Sequence, residues 1–266
     1  MKFGFIGAGN MGGALARAAA KAMDPKNITL ADQLTEKAAA LAAQLGCNTA
    51  TAEAVAGSCD VIFLGVKPQV MGAMLSQVAP VLAARKEGFL LVSMAAGVCI
   101  RDIRAMAGGE YPVIRIMPNI PASVGTGVIL YDTTDNVTDQ QLAAFRNAMA
   151  HAGLVDALPE KLIDAGSALS GCGPAFVALF VEALADGAVA CGLPRDKALA
   201  YAAQTVAGSA KMLCEGTMHP GQLKDAVCSP AGSTIMGVHA LEQSGFRAAA
   251  MDAVLAAYDR TLELGK

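Results

Sequence analysis

The chain has 266 residues, 28 of them glycine, with 54% hydrophobic side chains, 5% aromatic side chains and no tryptophan. That length predicts one large domain or two ordinary ones, and either can bury a hydrophobic core. The formal net charge is −3 and only 16% of the residues are charged. Because the chain lacks the basic field that attracts phosphates, we expect neither nucleic acid nor a membrane surface among its partners.

Cysteine usage indicates a reducing compartment. The seven cysteines are odd in number, widely spaced and without a C-x-x-C pair, which disfavours a disulfide framework and a zinc site. The three histidines are scattered, without metal-ligand spacing. We therefore predict a cytoplasmic protein with no metal site and no catalytic histidine.

A positive mean hydropathy of +0.45 raises the question of a membrane span. The most apolar uncharged run covers residues 165–181, contains glycines and a proline, and is followed by Glu182 and Asp186. A spanning helix needs about 20 apolar residues. The run is therefore predicted to be a buried helix preceded by a turn.

Up to residue 158, short apolar runs alternate with stretches of helical composition. The runs predicted to be strands are 2–6, 27–31, 60–66, 89–97, 111–119, 128–132 and 154–158. Helices are expected between most of them, with a stop at Gly46 and a break at Pro80. Continuous apolar strands separated by helices favour a mostly parallel, doubly wound sheet covered on both faces, an α/β fold.

After residue 158 the strand pattern stops. Residues 161–266 have helical composition, with breaks at 171–174, 192–194, 219–221, 229–232 and 245. A change from alternating to purely helical composition indicates a domain boundary. We predict an α/β domain over residues 1–158 and an all-α domain over residues 159–266.

The glycine motif Gly7-x-Gly9-x-x-Gly12 follows the first strand and opens a helix. In dinucleotide-binding folds the first glycine makes the turn, the second lets the pyrophosphate approach, and the third packs the helix on the strand. Free N–H groups at the helix N-terminus then face the phosphates. The motif therefore predicts dinucleotide binding, with ordinary glycine turns in an alanine-rich chain as the alternative.

Asp32 stands at the end of the second strand, where a carboxylate accepts hydrogen bonds from a ribose diol and favours NAD. Capping of the following helix is the alternative role. No arginine stands beside Asp32 to bind a 2′-phosphate, although Lys37 lies a turn away. The choice between NAD and NADP stays open.

Further candidate loops follow other predicted strands. Open α/β sheets bind ligands at the carboxyl ends of their strands, where this sequence has Val66-Lys67-Pro68, Ala95-Ala96-Gly97 and Asn119. Lys67 either faces a bound anion or extends from the sheet edge to solvent. Asn119 offers an amide to a nicotinamide or substrate edge, or to a turn.

The helical half contains one candidate loop, between Val227 and Thr234. A helix is predicted to start near Gly232, so the N–H groups of Ala231 to Thr234 would form a nest for a small carboxylate. A plain helix cap is the alternative. The candidate residues are Val227, Ser229, Ala231, Gly232, Ser233 and Thr234.

Over its whole length the chain resembles the pyrroline-5-carboxylate reductase family. The resemblance rests on FIGAGNMG at 5–12, VKP at 66–68, SMAAGV at 93–98, RIMPNIPA at 115–122, ALSGCGPAF at 168–176 and HPGQLKDAVCSPAGSTI at 219–235. It implies a Rossmann domain followed by a helical dimerisation domain, in a homodimer with interlocked helical domains and often a decamer of such dimers. It also implies reduction of (S)-1-pyrroline-5-carboxylate to L-proline with NADH or NADPH, the last step of proline biosynthesis.

The resemblance also assigns roles to residues. It implies that the cofactor pyrophosphate contacts Ile6, Gly7, Ala8, Gly9, Asn10 and Met11, and that residues 66–68 and 95–97 wall the nicotinamide site, with Asn119 near the ring. Residues 231–234 would hold the substrate carboxylate, and the Thr234 hydroxyl would face the imine nitrogen.

Three motifs depart from the family pattern: SGCGPAF replaces SGSGPAY, MPNIP replaces MPNTP, and SPAG replaces SPGG. The replacements bring individual polar contacts of the family's site into question, but not the expected activity.

Two other functions compete with this one. A β-hydroxyacid dehydrogenase also joins a Rossmann domain to helices, but it needs a catalytic lysine in the helix after its glycine motif, and SGCGPAFVALFVEA contains none. A dinucleotide-sensing dimer without catalysis would bind cofactor and turn nothing over.

Overall fold

The computed structural model describes residues 1–216 and 218–264. Its first part is built on an eight-stranded sheet. The strands are β1 (Phe3–Ile6), β2 (Ile28–Ala31), β3 (Asn48–Thr49), β4 (Val61–Leu64), β5 (Leu90–Ser93), β6 (Val113–Pro118), β7 (Gly127–Thr133) and β8 (Gly153–Ala157). Their order in the sheet is β3-β2-β1-β4-β5-β6-β7-β8, and of the neighbouring pairs only β6 and β7 are antiparallel. The predicted mostly parallel sheet is confirmed.

Seven helices accompany the sheet. They are α1 (Asn10–Ala22), α2 (Thr35–Leu45), α3 (Ala52–Ser58), α4 (Pro68–Ala83), α5 (Ile100–Ala107), α6 (Asp139–Ala148) and α7 (Glu160–Ser170). The helix stop at Gly46 is confirmed, because this residue has a φ of 76°. The break at Pro80 is wrong: α4 continues to Ala83. A proline removes one helical hydrogen bond, and the buried side chains of Val78 and Leu82 hold the last turn of α4 against the core despite that loss.

Alternate residues of the central strands fill two separate cores, one on each face of the sheet, as the pleat requires. Phe5 and Phe63 pair in register and stack on one face, with ring centroids 4.4 Å apart. Ile6 and Leu64, the next residues along, are buried on the other face. Burial on both faces explains why these strands are continuous apolar runs.

The chain divides into two compact units, and the first ends at Gly171 rather than at residue 158. It also includes the last helix from Tyr258 onward. The difference at the boundary comes from α7, which packs on β7. A Cβ atom at Gly166 would overlap the Leu130 side chain, so the glycine lets this helix approach the strand.

The second unit covers residues 172–257 and contains helices only, within the part of the chain that the structure describes. The remaining helices are α8 (Gly173–Ala190), α9 (Arg195–Cys214), α10 (Pro220–Val227), α11 (Ser233–Gln243) and α12 (Phe246–Leu264). The helix breaks at 171–174, 192–194, 219–221, 229–232 and 245 are therefore confirmed.

The second unit buries little of its apolar surface. Its core cluster consists of Ala185, Ala198 and Ala202, whereas Leu179 on α8 is 68% exposed. The stretch Glu160–Ala190 has the length and composition of a membrane-crossing helix, and only 11% of its most apolar window is buried. The predicted burial of this helix is thus not found within the isolated subunit.

An ionic cluster around Arg115 attaches α7 to the sheet. The Arg115 side chain is 4% exposed, and its Nη1 and Nη2 atoms lie 3.1 Å from Glu160 Oε1 and Asp164 Oδ1 respectively. Glu160 Oε1 also accepts the Ile100 N–H, at 2.8 Å. The Glu160 N–H donates to Asp132 Oδ2, at 2.6 Å. Glu160 therefore joins α7 to Arg115 on β6, to Asp132 on β7 and to the start of α5.

We expect Arg115→Met to lower the free energy of unfolding by about 3 kcal/mol, since it leaves two carboxylates without their cation. Urea unfolding followed by circular dichroism measures this change. Arg101→Met is the control, because the Arg101 side chain is 87% exposed in its pair with Asp102, and we expect a loss of under about 0.5 kcal/mol there. Equal losses in the two variants would contradict a structural role for the cluster.

Candidate active site

Three backbone segments touch at the glycine turn after β1. Gly7 has a φ of +107°, and a Cβ atom there would lie 2.5 Å from the carbonyl of Gly65, just after β4. A Cβ atom at Gly12 would overlap the Gly7 carbonyl oxygen. The Gly65 N–H donates to the Ile6 carbonyl at 2.7 Å. Side chains at these glycines would separate β1, α1 and β4.

Gly9 differs from its neighbours, because a Cβ atom there would meet nothing within 4 Å. It is the N-cap residue of α1. Within the described residues, the N–H groups of Asn10 and Met11 donate to no backbone acceptor. Open space in front of free N–H groups at a helix N-terminus is the arrangement that binds a phosphate, so these residues fit a dinucleotide pyrophosphate.

Asp32 links the glycine turn to the loop before α2. Its Oδ2 accepts the Ala8 N–H at 2.7 Å, and its Oδ1 accepts the Leu34 N–H at 2.9 Å. The N-cap residue of α2 is Leu34, so the capping role considered for Asp32 is not found. The carboxylate therefore stands at the end of β2, held by two backbone donors.

The other predicted loops lie at the same edge of the sheet, because β1, β4, β5 and β6 are parallel neighbours. Lys67 is the exposed N-cap residue of α4, and Pro68 is its first residue. Among the loop residues after β5, Ala95 is buried, Ala96 is exposed and Gly97 has a φ of +73°. Exposed residues of two loops thus lie at the same edge of the sheet as the glycine turn.

Asn119, which follows β6, has its amide engaged inside the first unit. It is 7% exposed. Its Nδ2 donates to the Ser170 carbonyl at 2.9 Å, and its Oδ1 accepts the Val128 N–H at 2.9 Å. The side chain therefore holds the end of α7 against β7, and one amide hydrogen and one oxygen lone pair remain for other contacts.

In the second unit, the loop before α11 presents free donors. Gly232 is the N-cap residue of α11, and its own N–H donates to the Ser229 carbonyl at 3.0 Å. Among the described residues no backbone acceptor receives the N–H groups of Ala231, Ser233 and Thr234. Of the four donors in the predicted nest, three are therefore available.

Two features shape this loop. Ala231 has a φ of 57°, the one positive value at a non-glycine position in the described chain, and that conformation costs about 1–2 kcal/mol for an L-residue. A Cβ atom at Gly232 would overlap the Ser229 hydroxyl, so glycine keeps that hydroxyl beside the helix start. The Thr234 side chain is exposed, and its hydroxyl bonds to nothing in the described part of the chain.

Sequence reasoning placed Gly65 at the start of the candidate loop 65–68 without predicting its contact with the glycine turn, and it gave no role to Arg115. Gly65 carries a signal, since it ends an apolar strand and begins a turn into a helix, the position where backbone approaches a neighbouring loop. Arg115 shows only as one cation inside a strand pattern. Its carboxylate partners lie on α7, far along the chain, so the sequence alone does not reveal them.

We expect Gly9→Ala to weaken dinucleotide binding at least about tenfold, because the added methyl group enters the space in front of the free N–H groups. The cost to folding should stay near 1 kcal/mol, the usual difference at an N-cap. Isothermal titration with NADH and NADPH measures binding, and thermal unfolding measures stability. Gly12→Ala is the control for a stability effect, and it should lower the free energy of unfolding by more than about 2 kcal/mol. Unchanged affinity in Gly9→Ala would contradict the assignment.

Both the α/β part and the helical part of the chain match models of known protein families. Residues 160–264 match the family model for pyrroline-5-carboxylate reductase dimerisation, and residues 2–97 match that for coenzyme F420-dependent NADP oxidoreductases. The chain is 43% identical to the pyrroline-5-carboxylate reductase of Methanosarcina acetivorans, over 100% of this chain and 98% of the relative.

Solved structures agree with the sequence relatives. The Plasmodium falciparum pyrroline carboxylate reductase with NADP bound superposes with a TM-score of 0.87 at 33% identity, over 100% of this chain and 98% of that one. The Coxiella burnetii pyrroline-5-carboxylate reductase gives 0.92 at 31% identity with the same coverage. With these relatives, and with the glycine turn and free donors in place, the chain belongs to the pyrroline-5-carboxylate reductase family.

Proposed function

We propose that this chain reduces (S)-1-pyrroline-5-carboxylate, a cyclic imine, to L-proline with NADH or NADPH. One observation carries the proposal in this family: the loop before α11 offers free N–H groups from Ala231, Ser233 and Thr234 beside an unbonded hydroxyl. Three free N–H donors within four consecutive residues suit a small carboxylate. A hydroxyl next to them suits the ring nitrogen, which is two bonds away from the carboxylate carbon in this substrate.

At the cofactor end, the turn from Ile6 to Met11 holds the pyrophosphate, supported by the open space at Gly9. Residues 66–68 and 95–97 border the nicotinamide, supported by their place at the carboxyl ends of β4 and β5. Asn119, just after the neighbouring strand β6, holds the end of α7 against β7. When bound, the reduced nicotinamide ring supplies a hydride.

At the substrate end, the nest neutralises the carboxylate, and Val227 adds an apolar side chain that is 59% exposed. The Thr234 hydroxyl donates a hydrogen bond to the imine nitrogen, which draws electrons from the carbon–nitrogen double bond. The hydride adds to carbon, the electron pair of the double bond moves to nitrogen, and nitrogen takes a proton. Alignment and one donor are sufficient, because an iminium also forms in solution.

The alternatives receive less support. A hydroxyacid dehydrogenase needs a lysine in the helix after the glycine motif, and α8 contains none. A sensing dimer needs neither a carboxylate nest nor an unbonded hydroxyl. The free donors of the loop before α11 favour catalysis over both.

The dimerisation model matched by residues 160–264 supports a homo-oligomer. We propose that two subunits bury the exposed apolar side chains of the helical region against each other, and that such dimers assemble further into a decamer in the cytoplasm. Among the described residues, the fully buried core of the second unit consists of three alanines, so a second copy is the natural cover for residues such as Leu179. Seven free thiols suit a reducing compartment.

Purified protein should oxidise NADH or NADPH only when pyrroline-5-carboxylate is present, and Thr234→Val should lower kcat/KM by about 10- to 100-fold, or 1.4–2.8 kcal/mol. Valine keeps the shape of threonine and removes the hydroxyl donor. Steady-state kinetics at 340 nm measure turnover, and titration with cofactor alone should give an unchanged Kd.

Thr234→Ser restores the hydroxyl and should keep turnover within about threefold of the starting protein. Equal turnover by the valine variant would remove Thr234 from the mechanism. A folded dimer that turns over neither cofactor would refute the proposed function itself.

The purified chain should have a mass that is an even multiple of its 26.9 kDa subunit mass. Leu179→Glu should dissociate the assembly, because it places a charge on the exposed apolar side of α8. Mass photometry with circular dichroism distinguishes dissociation from unfolding. Leu154→Glu, on β8 and 61% exposed, is the control that should stay associated. A monomer that binds neutral lipid vesicles would indicate a membrane instead of a second copy.

A further inference from the structure

We propose that Asp32 makes this chain prefer NADH over NADPH. The inference depends on the proposed function only in that a nicotinamide dinucleotide binds at the glycine turn. It concerns the adenosine ribose, where the two cofactors differ: NADH has a 2′-hydroxyl, and NADPH has a 2′-phosphate.

The backbone holds the Asp32 carboxylate in one orientation. Oδ2 accepts the Ala8 N–H at 2.7 Å and Oδ1 accepts the Leu34 N–H at 2.9 Å. Each carboxylate oxygen has a second acceptor site. The two sites that remain match the two hydroxyl donors of a ribose diol, and the bond to Ala8 ties them to the turn that would hold the pyrophosphate.

A 2′-phosphate reverses this match. It replaces one donor hydroxyl by a group that carries nearly two negative charges and mainly accepts hydrogen bonds. The Asp32 carboxylate would then repel the phosphate, and neither group would donate a hydrogen bond to the other. The carboxylate cannot turn away without breaking its bonds to Ala8 and Leu34.

The charges near Asp32 add little to oppose this repulsion. Residues 33–36 are Gln-Leu-Thr-Glu, without a cation, and Glu36 adds a negative charge in the first turn of α2. A cavity of about 630 Å³ beside the glycine turn is lined by two cations, Lys37 and Arg17. Arg17 stands two turns into α1 and donates to Gln44 Oε1 at 2.7 Å. Gln44 is neutral and leaves the charge of Arg17 in place, so Lys37 and Arg17 are the two cations that compete with Asp32 for control of the preference.

Binding measured without substrate separates this inference from the proposed reaction. We expect the full-length protein to bind NADH at least about tenfold more tightly than NADPH, with Kd values from cofactor fluorescence and isothermal titration. Asp32→Asn should bring the ratio of the two Kd values close to one. The ratio of the Kd values is the decisive readout. Loss of the hydrogen bond between Asp32 and the Ala8 N–H would weaken the binding of both cofactors by the same factor and leave the ratio unchanged.

Asp32→Ser is the second variant, in case asparagine disturbs the turn, and the same fall in the ratio is expected. Lys37→Ala is the matched control and should leave the ratio within about twofold of its starting value. Equal affinity of the starting protein for both cofactors would overturn the proposal. So would an unchanged ratio in both Asp32 variants.

Discussion

The contact between backbone segments at Gly7, Gly12 and Gly65 is the constraint on which the cofactor end of this protein depends. Side chains at these positions would meet backbone atoms, so the approach of α1 to β1 and β4 requires glycine. That approach brings the N-terminus of α1 to the carboxyl edge of the sheet, where its free N–H groups face the space at Gly9. Asp32 then fixes the turn from the side through the Ala8 N–H.

A second set of contacts keeps the remaining strand ends in place. Asn119 binds the carbonyl of Ser170 and the N–H of Val128, and Arg115 binds two carboxylates of α7. Both residues therefore act on the same helix, Arg115 from β6 and Asn119 from the position just after it. The proposed reaction asks for alignment more than for acid catalysis, and a rigid β6–α7 contact supplies alignment. This alignment role accounts for the burial of Arg115 and Asn119, which take no part in the proposed proton transfer.

Local patterns predicted most of the architecture, because glycine turns, apolar strands and helix breaks are set by neighbouring residues. The features that the sequence did not predict have two causes, namely very short elements and tertiary packing. β3 has two residues and α3 has seven, too few for a periodic pattern to develop. The end of the first unit at Gly171 follows from the packing of α7 on β7, which composition does not encode. At the site, the glycine motif was evident, whereas the bond from the Ala8 N–H to Asp32 and the buried amide of Asn119 depend on partners distant in sequence.

The proposed nest for the substrate lies in the unit with the smaller core, which has consequences for how activity depends on concentration. Ala185, Ala198 and Ala202 alone bury too little area to order a helical unit, so the proposed second copy supplies the missing apolar contact. Ala231 adds a strained residue within the nest itself. Association then stabilises both the helices and the strained loop, since any partner that binds only the folded form shifts the folding equilibrium. In the proposed reaction, substrate binding and subunit association would be linked for the same reason.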